Sequence, residues 1–493
     1  MKPLTTIAAA AGKLPQPNAI GELLVREGLI SAAQLSQALS LQKQTDGLIG
    51  DTLVSLGFIS KTQFYEFFNP VPPMPLKVVN TGLSEAFLTD LLLKAAYLEA
   101  GTFTLQQISD TLSLPFSVAD ELVELVKADE LVSIRSATSY SQATYVYELT
   151  KRGRERAEGA FDVSRYVGAA PVPLQDYKFA LTRQSVRMIQ VDDEWIRDSL
   201  KDMVIGERML NQLGPAFGSG RSIFFYGPPG TGKTSTAEIL GRALPGLVYI
   251  PQAVEVAGQV IRLFDPAIHF SVEHETVECP QLDLSMNQKH DPRWKKCRRP
   301  VVMVGGELTL AMLELRYDTD SKYYEAPIHM KAGNGVFILD DFGRQQMEPR
   351  QLLNRWIIPL ERGTDFPTLH TGLKFEIPFD QITIFCTNLN TRDLVDGAFL
   401  RRIRHKIQVL PQTEDEFREI MRRVCNAQRV AYDAGVAEYL LDTYYRKAGR
   451  ALAGSHPRDL MEHILDRARF MKRQPEFTPE TVDLAAASYF VEM

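Results

Sequence analysis

The sequence has few cysteines, no long apolar run and no excess of positive charge. Only four of its 493 residues are cysteines, and they form neither a C-x-x-C pair nor the spacing of a disulfide framework. No apolar run approaches the ~20 residues that a membrane-spanning helix needs, and residues 1–19 lack the apolar core of a secretory signal. The net charge of −6 argues against a protein-wide basic surface for nucleic acid. We therefore expect a cytoplasmic protein without membrane insertion.

A glycine-rich stretch in the middle of the chain carries the most specific motif. It lies between an apolar run and a helix-forming run, fits G-x-x-x-x-G-K-[ST], and reads Gly227-Pro228-Pro229-Gly230-Thr231-Gly232-Lys233-Thr234-Ser235. Glycines permit a tight loop whose N–H groups surround phosphate oxygens, and the following helix N-terminus adds to that field. The pattern predicts a nucleoside-triphosphate site, with Lys233 on the β- and γ-phosphates and the Thr234 hydroxyl on Mg²⁺.

Two later apolar runs end in polar side chains. Residues 335–339 are followed by Asp340 and Asp341, and residues 381–387 are followed by Asn388. Because the carboxyl ends of parallel strands meet at one edge of a sheet, we expect these side chains to lie beside the glycine-rich loop. Asp340 is then predicted to hold Mg²⁺, and Asp341 to orient or deprotonate the attacking water. The Asn388 amide is predicted to hydrogen-bond that water or the γ-phosphate.

Three arginines complete the candidate catalytic set. Arg401 and Arg402 follow a short predicted helix and have no acid next to them in sequence, which suits a site completed by a neighbouring subunit. Arg458 follows Pro457 in the first turn of another predicted helix. From there we expect Arg458 to reach the γ-phosphate.

These five motifs, in this order, resemble Walker A, Walker B, sensor 1, the arginine finger and sensor 2 of the AAA+ ATPases. The resemblance covers about residues 181–493 and implies an α/β P-loop core with an α-helical lid. It also implies ATP and Mg²⁺ as ligands, ATP hydrolysis, and a homo-oligomeric ring that is a hexamer in the family. Most of the family has Asp-Glu where this chain has Asp340-Asp341, but initiator and helicase-loader members also look like Asp-Asp. Hydrolysis therefore remains the expectation.

The spacing between Lys233 and Asp340 is long for this family and implies an insertion at about 264–299. Its metal-ligand types are His269, His274, Cys279, His290 and Cys297. They leave two alternatives, a zinc site or a surface insertion in which such residues are scattered. A basic run surrounds Trp294 and comprises Lys289, Arg293, Lys295, Lys296, Arg298 and Arg299. This run either contacts a polyanion or an acidic partner, or is a solvated face.

The N-terminal region contains an internal repeat, in which residues 20–31 return as residues 49–60. Each copy predicts two short helices separated by a glycine, and two copies are expected to bury one core. The repeat resembles the N-terminal domain of type II secretion and type IV pilus ATPases. In some members that domain binds cyclic di-GMP through arginines, but Ala19 and Leu48 stand at those positions here, although Gln42 fits the glutamine position. A protein-docking module and a cyclic di-GMP sensor remain the alternatives.

The next region predicts three helices followed by a strand hairpin, the order of a winged helix. Residues 147–157 resemble the segment that leaves the wing in that superfamily. DNA binding through the third helix is the obvious reading. However, residues 81–160 contain 7 basic and 12 acidic side chains, and the third helix itself carries Asp120, Glu121 and Glu124. Phosphates would repel these acids, so we favour protein interaction over DNA contact.

The sequence therefore predicts a multidomain protein, since its 45% hydrophobic content suffices for several cores. The predicted divisions are a disordered tail (1–17), an all-α repeat module (18–69), a proline-rich linker (70–80), a winged-helix-like α+β module (81–160), a linker (161–180), an α/β P-loop AAA+ core (181–410) and an α-helical lid (411–493).

The functional expectation is an oligomeric AAA+ ATPase that remodels a protein client recruited by its N-terminal modules. The client is unknown, and the N-terminal resemblance suggests a secretion- or pilus-related one. One alternative is a DNA-handling ATPase, similar to initiators or loaders, that uses the winged helix. The other is a slow ATP-dependent regulatory switch that responds to cyclic di-GMP.

Overall fold

A computed structural model describes residues 21–60, apart from 22–23, 26–27 and 46–48, and then 71–137, 145–272, 290–389 and 400–490. Several predictions from the sequence lie outside these described residues. They are the tail over 1–17, the positions Ala19 and Leu48, and the insertion residues His274, Cys279 and Lys289.

The N-terminal repeat folds around one small core. Its described helices are α1 (Ala32–Thr45) and α2 (Ile49–Ser55). Leu24 and Ile30 from the first copy share a buried cluster with Leu53 and Ile59 from the second. Neither copy could bury these side chains alone, which explains why the motif occurs twice.

The following region consists of three helices, a three-stranded antiparallel sheet and a closing helix. The elements are α3 (Glu85–Leu98), β1 (Thr102–Thr104), α4 (Leu105–Leu112), α5 (Phe116–Ala128), β2 (Val132–Ala137), β3 (Tyr145–Leu149) and α6 (Lys151–Val163). The sheet order is β1-β3-β2. Ser84, Thr104 and Thr150 cap α3, α4 and α6 by accepting backbone N–H bonds, so the helix starts are set locally.

The remainder of the chain alternates strands and helices before it becomes all-helical. Its first half contains β4 (Val172–Pro173), α7 (Leu174–Arg183), α8 (Asp193–Ser199), α9 (Glu207–Gly218), β5 (Ile223–Tyr226), α10 (Lys233–Ala243), β6 (Leu247–Pro251), β7 (Ala253–Val256), β8 (Gln259–Arg262), β9 (Trp294–Arg298) and β10 (Val301–Val304). Its second half contains β11 (Arg316–Asp318), β12 (Tyr323–Glu325), α11 (Ile328–Lys331), β13 (Val336–Leu339), α12 (Pro349–Arg362), β14 (Thr364–Asp365), β15 (Ile377–Pro378), β16 (Ile382–Thr387), β17 (His405–Gln408), α13 (Glu414–Ala427), α14 (Ala434–Leu441), α15 (His456–Phe470) and α16 (Pro479–Tyr489).

A five-stranded parallel sheet forms the centre of the α/β region. Its order is β10-β13-β16-β5-β17, and every neighbouring pair is parallel. All residues of β13 and β16 are buried, as expected for strands covered on both faces. The sheet separates two apolar clusters, one containing Leu240 of α10 and the other containing Trp356 of α12. The predicted mixed α/β fold with a parallel sheet is thus confirmed.

A second sheet is formed by segments that lie before and between the strands of the parallel sheet in sequence. It has the mixed order β11-β12-β8-β7-β4, and next to it β6 and β9 form an antiparallel pair. The sequence predicts Leu247–Ile250 as a strand, and β6 is one. It does not join the parallel sheet, because its buried side chains Val248 and Tyr249 pack in the cluster of the second sheet.

The segment predicted as a linker over 161–180 is ordered in the structure. It contains the end of α6, the strand β4, which pairs in parallel with β7, and most of α7. Ala170 N–H donates to the carbonyl of Leu112, and Arg165 N–H donates to that of Ser321. Prolines indicated a linker here, but Pro173 ends a strand and precedes a helix, a position that needs no N–H donor.

The C-terminal part is a bundle of α13 to α16 with its own apolar core. Thr413 and Glu416 form a capping box at the start of α13. A π-helical turn, Asp442–Arg446, continues α14. Within the described parts of the whole chain, no helix is long and apolar enough to cross a membrane.

Candidate nucleotide-binding site

The glycine-rich loop connects β5 to α10, and close packing explains its glycines. Gly227, Gly230 and Gly232 all have positive φ angles, of 145°, 72° and 88°. A Cβ atom at Gly227 would lie 2.1 Å from the carbonyl oxygen of Val409. One at Gly230 would lie 2.8 Å from Oγ of Ser455. Both the backbone conformation and the space therefore require glycine here.

Lys233 lies at the first turn of α10, with its ammonium group inside the loop. Its Nζ donates to the carbonyl oxygens of Gly227 at 3.0 Å and Pro228 at 2.6 Å. The residue is buried, and burial lowers its pKa in spite of the nearby Cys386, Asp340 and Asp341, which act in the opposite direction. A cation with so little solvation interacts strongly with an anion that enters the loop.

Thr234 and Asp340 are brought together across 106 positions of sequence. The Thr234 hydroxyl donates to Oδ1 of Asp340 at 2.7 Å, and the same oxygen accepts the backbone N–H of Asp341 at 2.9 Å. A hydroxyl and a carboxylate are oxygen ligands of the kind that Mg²⁺ prefers. These two residues therefore fit the metal role predicted from the sequence.

Asp341 and Asn388 form the second pair. Asn388 follows β16, the strand between β13 and β5, and its Nδ2 donates to Oδ1 of Asp341 at 2.9 Å. Asp341 has a φ of +45°, a left-handed conformation that is uncommon outside glycine and asparagine. Strain of this kind is typical of functional positions. The Asn388 amide thus orients the carboxylate of Asp341, whose backbone is in the left-handed conformation.

A glutamine that sequence reasoning missed supports this acidic turn. Gln345 donates through Nε2 to the carbonyl oxygens of Asp340 at 3.0 Å and Asp341 at 3.2 Å. Its Oε1 accepts the N–H of Gly343. A polar residue shortly after a glycine in a turn was the available signal, but it does not distinguish a supporting side chain from a solvated one.

The P-loop opens into a cavity of about 880 Å³ between the parallel sheet and the C-terminal helices. Arg458 of α15 lines this cavity together with Lys233, Asp341 and Asn388. Ser455 N–H donates to the carbonyl of Gly230 at 3.0 Å, so the helical bundle directly contacts the loop. The volume lies within the ~300–1,000 Å³ typical of ligand pockets.

One side of the cavity is apolar and was not predicted. Its members come from three segments, the stretch before the P-loop, helix α10 and the region where the helical bundle begins, and they are Met203, Ile205, Met209, Ile239, Leu410, Ile420 and Val424. An apolar wall opposite a phosphate loop suits the flat face of a nucleobase. These residues follow no fixed motif, so the sequence offered no signal for them.

Arg401 and Arg402 do not line the nucleotide cavity of their own chain. They line a different cavity, at the opposite ends of β5 and β16. Nε of Arg402 donates to Oε1 of Glu361 at 2.6 Å, whereas Arg401 is exposed. An acid next to Arg402 thus exists in the fold, although none is adjacent in sequence.

The structure gives no support for a zinc site in the described part of the insertion. His269 uses both ring nitrogens, accepting from Asp265 N–H and hydrogen-bonding the carbonyl of Lys331, and burial lowers its pKa. Among the described residues no three His, Cys, Asp or Glu side chains are grouped as metal ligands would be.

The predicted basic patch around Trp294 is not one surface. Trp294 is buried, and Arg293 is buried in a salt bridge with Asp291 while donating to the carbonyls of Thr81 and Pro171. Arg299 donates to three backbone carbonyls, and burial lowers its pKa to about 10. Within β9 itself, Trp294 and Cys297 are buried, Lys295 and Lys296 are half-buried and Arg298 is exposed, so burial divides the run.

One family model matches part of the chain. A family model described as "Domain of unknown function (DUF8689)" matches residues 413–488, which lie in the helical bundle. No curated protein matches the sequence.

Solved structures similar to this chain include a mutant of Thermotoga maritima RuvB, at 13% identity and a TM-score of 0.31, covering 60% of this chain and 70% of that one. Another is NtrX from Brucella abortus in complex with ADP, at 13% identity and a TM-score of 0.35, covering 66% of this chain and 64% of that one. TM-scores this low carry no argument, so the interpretation below depends on the site itself.

Proposed function

We propose that this chain is an AAA+ ATPase that binds ATP with Mg²⁺ and hydrolyses it. The observation that carries the proposal is the hydrogen bond between Thr234 and Asp340. It joins the P-loop to the acid-bearing strand, although β16 lies between β13 and β5. If Asp340 and Asp341 were only part of a solvated turn, no hydrogen bond to the Thr234 hydroxyl of the P-loop would be expected.

The binding roles follow from the positions of the side chains. The loop N–H groups and Lys233 would hold the β- and γ-phosphates, and the apolar side of the cavity would hold the base. Thr234 and Asp340 would hold Mg²⁺, which neutralises charge on the phosphates when bound. Arg458, exposed on the first turn of α15, would reach the γ-phosphate from the helical lid.

Hydrolysis would depend on Asp341 and Asn388. The Asp341 carboxylate would accept a proton from the attacking water, and the Asn388 amide would keep that carboxylate in place. Aspartate is one methylene shorter than the glutamate that most AAA+ ATPases have at this position. The left-handed turn at Asp341 and its support by Gln345 set where the shorter side chain projects.

Arg401 and Arg402 would act on the nucleotide of a neighbouring copy. Within one chain they lie at the other end of the strands that carry the P-loop, so they cannot serve their own site. An arginine supplied in trans stabilises charge on the transferring phosphoryl group. This arrangement requires a homo-oligomer, which we propose to be a ring, with six copies by analogy with the AAA+ family.

The N-terminal modules would recruit a protein client instead of DNA. Helix α5, the DNA-reading candidate, is covered by the preceding segment: the Glu121 carboxylate accepts Val78 N–H at 2.8 Å, and Ser117 Oγ donates to the carbonyl of Leu76. A helix held in this way does not enter a major groove. The divisions predicted from the sequence, with the repeat over 18–69 and the winged-helix-like module over 81–160, are part of this proposal.

A slow ATP-dependent switch is the second candidate, and one observation favours it. The same Asn388–Asp341 hydrogen bond that could orient the acid could also hold it away from water. The two candidates share ATP binding and differ in turnover.

Phosphate release at saturating ATP tests the enzyme assignment. We expect the Lys233→Ala variant to lose ATP binding and turnover together. Lys447→Ala, a change of an exposed lysine on the helical lid, should leave both unchanged. Equally slow phosphate release from the wild type and Lys233→Ala would contradict the ATPase assignment. If the wild type still bound ATP, the ATP-dependent switch would then be the remaining candidate.

A further inference from the structure

A second cavity lies at the end of the parallel sheet opposite the P-loop. It has a volume of about 490 Å³, and the residues at the starts of two sheet strands, Ser222 before β5 and Thr383 in β16, line it. The ends of the same strands reach the nucleotide cavity. Gly227 comes five positions after Ser222 along β5, which is about 17 Å at ~3.3 Å per residue. A ligand in one cavity therefore does not overlap one in the other.

Arginines dominate this cavity, which we name the arginine pocket. Its five guanidinium groups belong to Arg187, Arg221, Arg401, Arg402 and Arg404. Among the lining residues that the structure describes, Glu361 is the only acid, and it pairs with Arg402.

The pKa of Arg221 reflects the excess of positive charge in the arginine pocket. Burial lowers its pKa, and the positive charges of Arg187 and Arg404 lower it further. Like charges held close together in a cavity repel one another and do not stabilise the fold. The excess of positive charge therefore suggests that the arginine pocket binds an anion.

Buried donors among the residues that line the arginine pocket make the second, independent observation. Gln381 is 6% exposed and Thr383 is 1% exposed. The Gln381 Nε2, the Thr383 Oγ1 and the Arg187 Nε are all buried, and none has a hydrogen-bond partner in the described part of the chain. Arg187 lies 4.0 Å from Asp380, whose carboxylate oxygens already accept bonds from Ser185, Val186 and Asn334. Buried donors without acceptors are uncommon, and three around one basic cavity indicate a ligand rich in acceptor oxygens.

We propose that the arginine pocket is a second ligand site, which binds a small phosphate-bearing anion independently of the P-loop. Phosphate supplies several acceptor oxygens and negative charge, and planar guanidinium groups match its geometry well. The volume accommodates a ligand up to about the size of a nucleotide. The ligand is therefore either an inorganic phosphate or the phosphate group of a small metabolite.

The test uses full-length Lys233→Ala protein, in which the P-loop no longer competes for phosphate. Pyrophosphate is the probe, titrated by calorimetry at constant ionic strength, with sodium chloride as the reference for general screening. We expect saturable binding of one pyrophosphate per chain. Adding Arg187→Met should weaken the affinity about tenfold or more, because it removes a charge-assisted donor.

Thr383→Val is the more conservative second variant. It replaces a hydroxyl without a protein partner by a methyl group of similar shape, so the thermal midpoint without ligand should stay equal or rise. The affinity for pyrophosphate should still fall several-fold. Arg316→Met, which alters an exposed arginine on β11, is the matched control and should change nothing.

Three results would overturn the proposal. They are no saturable binding to Lys233→Ala, binding that Arg187→Met and Thr383→Val leave unchanged, and an equal loss in Arg316→Met. ADP serves as the second arm in the same protein: displacement of pyrophosphate by ADP points to a nucleotide phosphate, and no displacement points to an inorganic anion. Because the P-loop is disabled throughout, the outcome is independent of whether the chain hydrolyses ATP.

Discussion

At the scale of single residues, the site depends on a few side chains whose roles differ in how far sequence reveals them. Lys233 and Thr234 are set by a motif that is contiguous in sequence. Asp341 and Asn388 are 47 positions apart, and the structure joins them by a hydrogen bond that the sequence does not reveal. The unusual backbone angle at Asp341 is also invisible in the sequence, because aspartate itself gives no sign of a left-handed conformation.

The Asn388→Ala substitution distinguishes the two proposed functions. If the amide orients Asp341 toward water, its loss should lower kcat about 10–100-fold, because catalysis is sensitive to misplacement of the base. The affinity for ATP should stay nearly unchanged, since the substitution keeps Lys233 and the loop N–H groups that would hold the phosphates. Steady-state phosphate release and nucleotide titration measure both quantities.

Asp341→Asn is the companion variant in that experiment. Asparagine tolerates the left-handed backbone, so this change removes the proposed base without adding strain. A faster rate in Asn388→Ala than in the wild type would instead show that the amide restrains the acid, which favours the switch.

At the scale of secondary-structure elements, buried ion pairs connect segments that the sequence treats as separate. Asp365 of β14 accepts hydrogen bonds from His329 of α11 at 2.8 Å and from Arg355 of α12 at 2.5 and 3.0 Å. Burial by itself would raise the pKa of Asp365, but these bonds outweigh it and hold the pKa below its usual range. Three elements next to the parallel sheet thus share one carboxylate.

This carboxylate predicts a pH-dependent stability. Its folded-state pKa lies below the unfolded value of about 3.9, so its stabilisation is fully present above that pH and is lost as the pH falls. Asp365→Asn should therefore lower the free energy of unfolding by about 3 kcal/mol at pH 7, because it removes the buried charged partner of Arg355 and His329, while Arg355 keeps its ion pair with Glu314. The deficit should shrink near pH 3.

Urea denaturation at the two pH values measures the effect. Asp198→Asn, which breaks an exposed ion pair with Lys201, is the control and should change stability little at either pH. A deficit for Asp365→Asn that is equal at pH 7 and pH 3 would show that the charge of this carboxylate is unimportant.

The contacts of helix α5 with residues 76–78 predict that the chain does not bind DNA through the region over 81–160. Its acids and its bonds to residues 76–78 oppose phosphate contact. Fluorescence anisotropy with a labelled duplex at low salt should show no saturable binding up to tens of micromolar, with or without ATP. Saturable binding that weakens steeply with salt, or a DNA-stimulated ATPase rate, would restore the DNA-handling alternative.

At the scale of the whole molecule, the two cavities at opposite ends of one sheet suggest how copies communicate. One end holds the P-loop, and the other presents Arg401 and Arg402. In a ring, the arginine end of one copy would face the nucleotide end of the next. The proposed function therefore predicts that hydrolysis needs both the loop of one copy and the arginines of the next.

A mixing experiment tests this arrangement. Lys233→Ala lacks the phosphate-binding lysine, and the double variant Arg401→Ala with Arg402→Ala lacks the proposed trans arginines, so each should be inactive alone. Mixed in equal amounts in the presence of ATP, they should recover activity at roughly a quarter of the interfaces, where an intact loop meets an intact arginine pair.

Size-exclusion chromatography with ATP is the accompanying control for assembly. Full activity of the arginine variant by itself, or a monomer that hydrolyses ATP at the wild-type rate, would contradict a shared site.

The sequence by itself determined the P-loop, the order of its partner motifs and the α/β class. These depend on local chemistry: glycines that permit a tight turn, apolar runs that predict buried strands, and acids or amides at their ends. In the structure these motifs lie next to one another, as their order along the chain suggested. Asp340 is hydrogen-bonded to Thr234, and Asn388 is hydrogen-bonded to Asp341.

Tertiary structure alone decided which elements became neighbours. It paired β6 with β9 outside the parallel sheet, made 161–180 part of a packed unit, and divided the basic run by burying Arg293 and Trp294. It also gathered Arg187 and Arg221 with the two predicted arginines in one pocket. Propensity and motif spacing describe one segment at a time, whereas pairing and burial depend on contacts between segments far apart in sequence, which no local pattern encodes.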